Sequence, residues 1–273
     1  MNWYKKAEEA AIPITPEQLV AMMQEERIAL ARNERITPEI QRLLITEEYY
    51  RKVAVLENLA RNRNITTATQ RLFFTEQYNR KGNVLHSLAQ DLSITPEMQR
   101  LFFAEEYENK GSFLKSLADN PSIIPEVQRL FFTEEYKKKG AVLWYLAGNP
   151  STHPETQRLF FTESYENKWE VLQHLAESTG ILPEVQRLFF TEEYKSNTLW
   201  YLAGNPSITL ETQRLFFTES YENKWEVLWN LTGNWKILRN FTRAQWLQIK
   251  NAARGGMRLQ VLKKRLEQLV GVP

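Results

Sequence analysis

The tripeptide Gln-Arg-Leu begins at Gln41, Gln70, Gln99, Gln128, Gln157, Gln186 and Gln213, so that five consecutive spacings are 29 residues and the last is 27. A fixed period of this length means an array: one short unit cannot bury its own apolar face, and stacking similar units gives each face a neighbour. Around the tripeptide runs a longer pattern, Ile-Thr-Pro-Glu-x-Gln-Arg-Leu-Phe-Phe-Thr-Glu-Glu-Tyr-x-x-Lys, then Val-Leu-x-x-Leu-Ala-x-Asn-Pro-Ser, and each copy ends where the next begins.

The pattern reads as two helices per unit. The first opens with Thr-Pro-Glu, as at Thr37-Pro38-Glu39 and Thr95-Pro96-Glu97. A Thr hydroxyl caps free amides, Pro is preset for the first helical position, and an early Glu complements the helix dipole. Ile124, His153 and Leu182 stand where that Thr would be, so those helices need capping from elsewhere. Val127, Leu130 and Phe131 follow i, i+3, i+4 spacing and mark an inward face, which Phe132 widens and Tyr136 closes. In the second, shorter helix Val142, Leu143, Leu146 and Ala147 form the apolar stripe. Asn149-Pro150-Ser151 stops it, because Pro cannot continue a helix.

The fold class that follows is all-α: an α-solenoid, or superhelix, of about seven 29-residue two-helix repeats with N- and C-terminal caps. Residues 1–35 hold an N-terminal segment and a short capping repeat that starts at Thr15-Pro16-Glu17, and residues 36–235 are the array. Residues 236–273 read as basic C-terminal capping helices broken at Gly255-Gly256, with Leu259, Leu262, Leu266 and Leu269 spaced to lie on the last repeat or on a partner. A tandem duplication is visible as well, since Gln-Arg-Leu-Phe-Phe-Thr-Glu-Ser-Tyr-Glu-Asn-Lys-Trp-Glu-Val-Leu begins at both Gln157 and Gln213.

Composition narrows the function classes. The chain carries 35 Lys and Arg against 33 Asp and Glu, a net charge of +2. Nine of those cations and one carboxylate fall in residues 236–273, which makes that segment +8 and leaves the remainder at −6. The absence of cysteine removes disulfides, thiolate metal sites and a Cys nucleophile, and fits a reducing compartment. The opening MNWYKKAEEAAIP puts charges where a signal peptide needs its apolar run, and no window approaches a membrane span. A cytoplasmic chain with no membrane partner is expected. His86, His153 and His174 lie in different repeats, no Gly-rich phosphate loop or His-Glu-x-x-His motif occurs, and carboxylate pairs such as Glu134-Glu135 recur as a ladder where a catalytic dyad would occur once. The expectation is a non-enzymatic protein, with no catalytic residue, metal site or cofactor.

The segments Leu146-Ala-Gly-Asn-Pro-Ser151 and Leu202-Ala-Gly-Asn-Pro-Ser207, each leading into a Pro-Glu or Leu-Glu helix start, resemble the leucine-rich repeat variant family, a relative of the HEAT-like solenoids. The similarity covers roughly residues 14 to 235. It implies stacked pairs of short helices, often one α and one nearer 3-10, in a right-handed superhelix. The 29-residue unit is longer than that family's usual one, and the Gln-Arg-Leu-Phe-Phe-Thr-Glu-Glu-Tyr block is unusually aromatic. The cysteines that hold an iron-sulfur cluster in one member have no counterpart here.

Within Val-Leu-x-x-Leu-Ala the two central residues change from unit to unit while their neighbours barely do: Glu57-Asn58, His86-Ser87, Lys115-Ser116, Trp144-Tyr145, Gln173-His174, Trp200-Tyr201 and Trp229-Asn230. Since the apolar stripe points inward, these pairs are expected to project toward solvent or a groove, and varied side chains on a constant frame are how repeat proteins build recognition surfaces. The leading expectation is a protein or peptide partner contacted by Trp144, Tyr145, Gln173, His174, Trp200, Tyr201, Trp229, Asn230, Lys115 and His86. Rings packed between repeats as core are the competing reading. Trp169 and Trp225 replace Gly82, Gly111 and Gly140 of other units and read as core.

Arg42, Arg71, Arg100, Arg129, Arg158, Arg187 and Arg214 form a ladder beside Glu47, Glu76, Glu105, Glu134, Glu163, Glu192 and Glu219. As many carboxylates as cations on the same helices would repel a phosphate backbone, so ion pairs between repeats are expected. The Gln and Asn ladders read likewise as inter-repeat hydrogen bonds to turn backbone. The alternative function is nucleic-acid binding through Arg243, Lys250, Arg254, Arg258, Lys263, Lys264 and Arg265, with aromatic variable positions stacking on bases. Homo-oligomers formed by end-to-end stacking are a third reading.

Overall fold

Each repeat folds into two short α-helices because neither could persist alone: helices of about nine residues are marginal in water and gain their stability by burying a stripe. The computed structural model describes residues 14–48, 52–75, 81–104, 110–133, 139–191, 195–234 and 241–252, without the side chains of 195–197 and 250–252. The described residues form seventeen helices and no strand. The short first unit is α1 (Pro16–Ala21) and α2 (Gln24–Arg32). The repeats follow as α3 (Pro38–Thr46) with α4 (Lys52–Ala60), α5 (Thr67–Thr75) with α6 (Lys81–Ala89), α7 (Pro96–Ala104) with α8 (Lys110–Asp119), and α9 (Pro125–Thr133) with α10 (Lys139–Gly148). Then come α11 (Pro154–Thr162) with α12 (Lys168–Glu177), α13 (Pro183–Leu188) with α14 (Lys195–Gly204), α15 (Leu210–Thr218) with α16 (Lys224–Leu231), and finally α17 (Arg243–Ala252). Both helices of a pair are α-helical, so the second is not the 3-10 helix that the family resemblance implies.

Tertiary contacts divide the chain into two compact units, Met1–Thr156 and Gln157–Pro273, and the division falls inside α11. In the first unit the opening helices stack in one layer (α1, α3, α5, α7, α9) and the second helices in another (α2, α4, α6, α8, α10). In the second unit α12, α14 and α16 stack in order, α13 lies on α15, and α17 rests on α16. Phe73, Phe102, Phe131, Phe160, Phe189 and Phe216 are fully buried. Within each unit the ring after such a Phe meets the buried Phe of the following repeat edge to face: Phe74–Phe102 and Phe103–Phe131 at 5.0 Å in the first, Phe161–Phe189 at 4.9 Å and Phe190–Phe216 at 5.0 Å in the second. At the C-terminal end Phe241 takes the next repeat's place against Phe217, with ring centroids 5.4 Å apart, and fully buried Ile249 anchors α17.

Two polar ladders tie repeat to repeat inside each unit, and a third ties the two helices of a repeat. Gln99 Nε2 donates to the Ile94 carbonyl (3.3 Å) and to the Ser122 carbonyl of the next repeat (3.0 Å), while its Oε1 accepts the Ile124 N–H (3.0 Å). Gln186 does the same with Ile181, Ser207 and Thr209, and also accepts the Thr212 hydroxyl at 2.7 Å. Asn149 Nδ2 donates to the Ala118 and Asn120 carbonyls of the preceding turn, and Asn205 to those of Ala176 and Ser178. The expected role of both ladders is therefore met. Asp91 and Ser178 interrupt the Asn ladder with groups that lack its NH2.

A third ladder is one that periodicity alone does not announce. In five repeats the Lys opening the second helix sends its ammonium back to the carbonyl at the end of the first: Lys110 to Phe103 (3.0 Å), Lys168 to Phe161 (2.5 Å), Lys224 to Phe217 (2.9 Å), with Lys81 and Lys139 doing likewise to Phe74 and Phe132. A cation at a helix C-terminus meets both the unpaired carbonyls and the negative end of the dipole. In the short first unit the buried guanidinium of Arg27 plays this part toward the Leu19 and Val20 carbonyls.

One expectation, the cap at Thr95, is corrected, and that of ion pairs between repeats is met. Thr15, Thr37, Thr66 and Thr209 cap their helices, but the buried Thr95 hydroxyl has no partner, and Leu182 supplies no side-chain cap. From Thr66 onward the turns share another hold, the Gln of the preceding repeat accepting the backbone N–H, as at Thr66, Thr95, Leu182 and Thr209. The Arg ladder does form ion pairs between repeats, yet its partners are the early-turn carboxylates of the next repeat: Arg71–Glu97, Arg129–Glu155, Arg158–Glu184 (3.3 Å) and Arg187–Glu211. An acidic first turn stabilises its own helix through the dipole, so those carboxylates serve two purposes. Glu76, Glu105, Glu134 and Glu192 lie outside the described residues, as does Tyr136.

Candidate functional site

The inward stripe of each second helix decides what its other side offers. Val142, Leu143, Leu146 and Ala147 of α10 are fully buried, as are Leu199, Leu202 and Ala203 of α14. The variable pair lies between these stripe residues, on the flanks of the opposite side. Its first member is the more open: Trp144 is 38% exposed and Trp200 45%. His86, Lys115, Gln173 and Trp229 are half-buried in the same position. Among second members, Tyr145, His174, Tyr201 and Asn230 are half-buried, whereas Ser87 and Ser116 are buried. The expectation that both residues project outward therefore holds only in part.

The reason is an interlock between neighbouring helices. His86 Nδ1 and the Ser116 hydroxyl form a hydrogen bond of 3.0 Å, the Lys115 ammonium stands 5.7 Å from the centre of the Tyr145 ring, and Asn230 Nδ2 donates to the Trp200 carbonyl at 2.6 Å. In each case the first position of one repeat meets the second position of the next, 30 residues on. Asn230 lies over Gly204, where an added Cβ would stand 3.0 Å from its Nδ2. The pair Lys115-Ser116 is thus half of two rungs. That coupling is not visible in a column-by-column comparison of repeats, although the 30-residue offset is its signature.

In the first unit these rungs border a pocket of about 510 Å3 whose lining includes His86, Lys115, Ser116, Asp119 and Tyr145. One ammonium, one carboxylate, an imidazole, a phenol and the Ser116 hydroxyl converge there, a set suited to polar recognition. Trp144 packs edge to face on Tyr145, with ring centroids 5.1 Å apart.

In the second unit the corresponding face is aromatic. Trp200 packs on Tyr201 at 5.0 Å, and Trp225 on Trp229 at 5.4 Å. Trp169 is 52% exposed and Trp225 half-buried, which overturns their assignment to the core. Their position borders the apolar stripe, and a ring there turns either way. Asn167 and Asn223, at φ of 54° and 52°, hold the left-handed backbone that starts these two helices. Beneath this face Tyr165 and Tyr221 donate to the Phe160 and Phe216 carbonyls at 2.8 and 2.7 Å. Burial pushes the Tyr221 phenol up and the Lys224 ammonium down from their ordinary values.

On α17 Arg243 is exposed. The Lys250 side chain and Arg254, Arg258, Lys263, Lys264 and Arg265 lie outside the described residues. Among the described residues no group of three His, Asp or Glu side chains is placed to hold a metal ion, and no helix is long and apolar enough to cross a membrane.

Paired helices in two layers, joined by Gln, Asn and Lys ladders, define the class: an all-α solenoid of helical repeats. No protein-family model, curated protein or solved structure matches the chain.

Proposed function

We propose that this chain is a non-enzymatic scaffold that binds a protein or peptide partner on the outer face of its second helices, and that its repeats belong with the leucine-rich repeat variant and HEAT-like arrays. The observation that carries the reading is that the positions free to vary are those that line the open surface: His86, Lys115, Ser116 and Tyr145 border the pocket of the first unit, and Trp200 and Trp229 occupy the same columns in the second. Large rings left partly wet are costly unless a partner covers them, and Trp and Tyr dominate binding hot spots. The ladder residues, by contrast, are consumed by the frame.

Replacing Trp144, Trp200 and Trp229 together by Ala tests it. The expected result is an unchanged far-ultraviolet circular dichroism spectrum with loss of the partner in pull-down. A collapsed spectrum would assign those rings to the core, and an undiminished pull-down would move the interface elsewhere. Affinity for single-stranded and duplex nucleic acid measured against salt is the companion experiment: tight binding that falls steeply with salt would transfer the function to the basic C-terminal segment.

A further inference from the structure

The second unit narrows the chemistry of its partner, and the step taken here rests on the peptide-binding reading above. On α12, α14 and α16 the exposed or half-buried rings are Trp169, Trp200, Tyr201, Trp225 and Trp229. Glu170 and Glu226 directly follow Trp169 and Trp225 and are exposed, as are Glu166, Glu177 and Glu222. The Lys side chains described on the same helices are withdrawn from this face: the ammonium groups of Lys168 and Lys224 sit 2.5 and 2.9 Å from the Phe161 and Phe217 carbonyls of the opening helices. Arg158 and Arg187 are engaged by Glu184 and Glu211 in the other layer. What remains is a surface of aromatic faces beside carboxylates.

A guanidinium satisfies both features at once. It is planar and weakly hydrated, lies over an aromatic face by cation–π attraction, and pairs with a carboxylate through two parallel hydrogen bonds. A phosphate backbone would be repelled by the same carboxylates. We propose that this face binds an arginine-bearing basic peptide segment, with guanidinium groups over Trp169 and Trp225 paired to Glu170 and Glu226. The two Trp-Glu pairs lie on helices separated by α14. At about 8–10 Å per helix they stand roughly 16–20 Å apart. An extended strand rises about 3.3 Å per residue, so the preferred arginines are about five or six residues apart.

The test uses the full chain and fluorescein-labelled Gly-Ser peptides carrying two arginines at that separation, read by anisotropy. Matched peptides carry citrulline or Glu in place of Arg, and a proline-rich peptide and a single-stranded oligonucleotide complete the set. The expected result is that the Arg peptide binds at least tenfold more tightly than every other probe. The double variant E170K/E226K should lose at least tenfold in affinity while keeping its circular dichroism spectrum, with a small fall in melting temperature because both are first-turn carboxylates, and E170Q/E226Q should lose an intermediate amount. Citrulline or proline-rich peptide binding as tightly as the Arg peptide, and abolished by Trp200→Ala, would overturn the charge assignment while leaving peptide binding in place. Preference for the oligonucleotide would overturn both, and so would the absence of binding by any peptide. Insensitivity of the Arg peptide to charge reversal would overturn the assignment to this face.

Discussion

The first unit presents a polar pocket bordered by His86, Lys115 and Tyr145, and the second presents Trp169, Trp200, Trp225 and Trp229 beside exposed glutamates. Beneath both lies the same frame: a buried Phe in the opening block of the repeats from Phe73 to Phe216, a Gln bound to the next turn, a Lys such as Lys110 or Lys168 closing the helix before it. The contrast teaches that stability and surface are encoded at different positions of one repeat. The surface changes at the two residues inside Val-Leu-x-x-Leu-Ala and at the residue after the Lys, which is Gly140 in the first unit and Trp169 in the second. Because His86, Lys115 and Trp200 also touch the second variable residue of the next repeat, these parts of the surface are edited in rungs and not residue by residue.

If the frame is common, breaking it must cost the same in either unit. Phe131→Ala in the first unit and Phe216→Ala in the second should each destabilise by about 3–5 kcal/mol, read as the shift of the urea unfolding midpoint, since both rings are fully buried. A much smaller cost in one unit would show that the frames differ. Removing a rung of the Gln ladder is the next largest effect: Gln99→Ala and Gln186→Ala orphan buried turn groups, and each should cost about 2–3 kcal/mol. Gln186 should be the costlier, because it also accepts the Thr212 hydroxyl.

Changes confined to the surfaces should act on binding far more than on folding. Trp144→Ala and Trp200→Ala should each alter stability by about 1 kcal/mol or less by thermal melting, as for other partly exposed positions. A larger loss would return those rings to the frame. Alkaline pH offers a finer probe of the second unit. The folded protein holds the Tyr221 proton to higher pH than the unfolded chain does, so the stability this group contributes is complete below about pH 10 and is lost as pH rises beyond it. Lys224 runs the other way: its lowered value means that the unfolded chain binds more protons below about pH 10.5, so its contribution grows with pH in that range. Tyr221→Phe should flatten the alkaline loss and cost about 1 kcal/mol at neutral pH, the worth of its bond to the Phe216 carbonyl. Smallest of all, Glu97→Gln in the first unit and Glu184→Gln in the second should each cost about 0.5 kcal/mol or less, since the ion pairs they break are solvent-exposed.

Much of this was legible before any coordinates. Gln in every unit and Asn in most of them foretell hydrogen bonds between repeats, and Thr15 and Thr37 at helix starts foretell caps. Thr95 shows the limit: the same tripeptide context leaves its hydroxyl unpaired, because a cap depends on a rotamer set by packing. The Arg ladder marks the same boundary: its evenly spaced cations foretell ion pairs between repeats, but only the packing of opening helices selects Glu184 as the partner of Arg158. Trp169 was read as core because it borders an apolar stripe, and a linear pattern cannot say to which side of that border a ring turns.

The amino-acid sequence by itself determined the period, the helix pairs, the residues facing inward and the positions left to vary. Those follow from interactions within a turn or two of chain and from the repetition of one burial problem. Only the tertiary structure decided which residues share a rung, which rings stay wet and where the lysines point. Each of those outcomes is settled by a neighbour some thirty residues away, whose side chain fills or leaves open the space into which the first can turn.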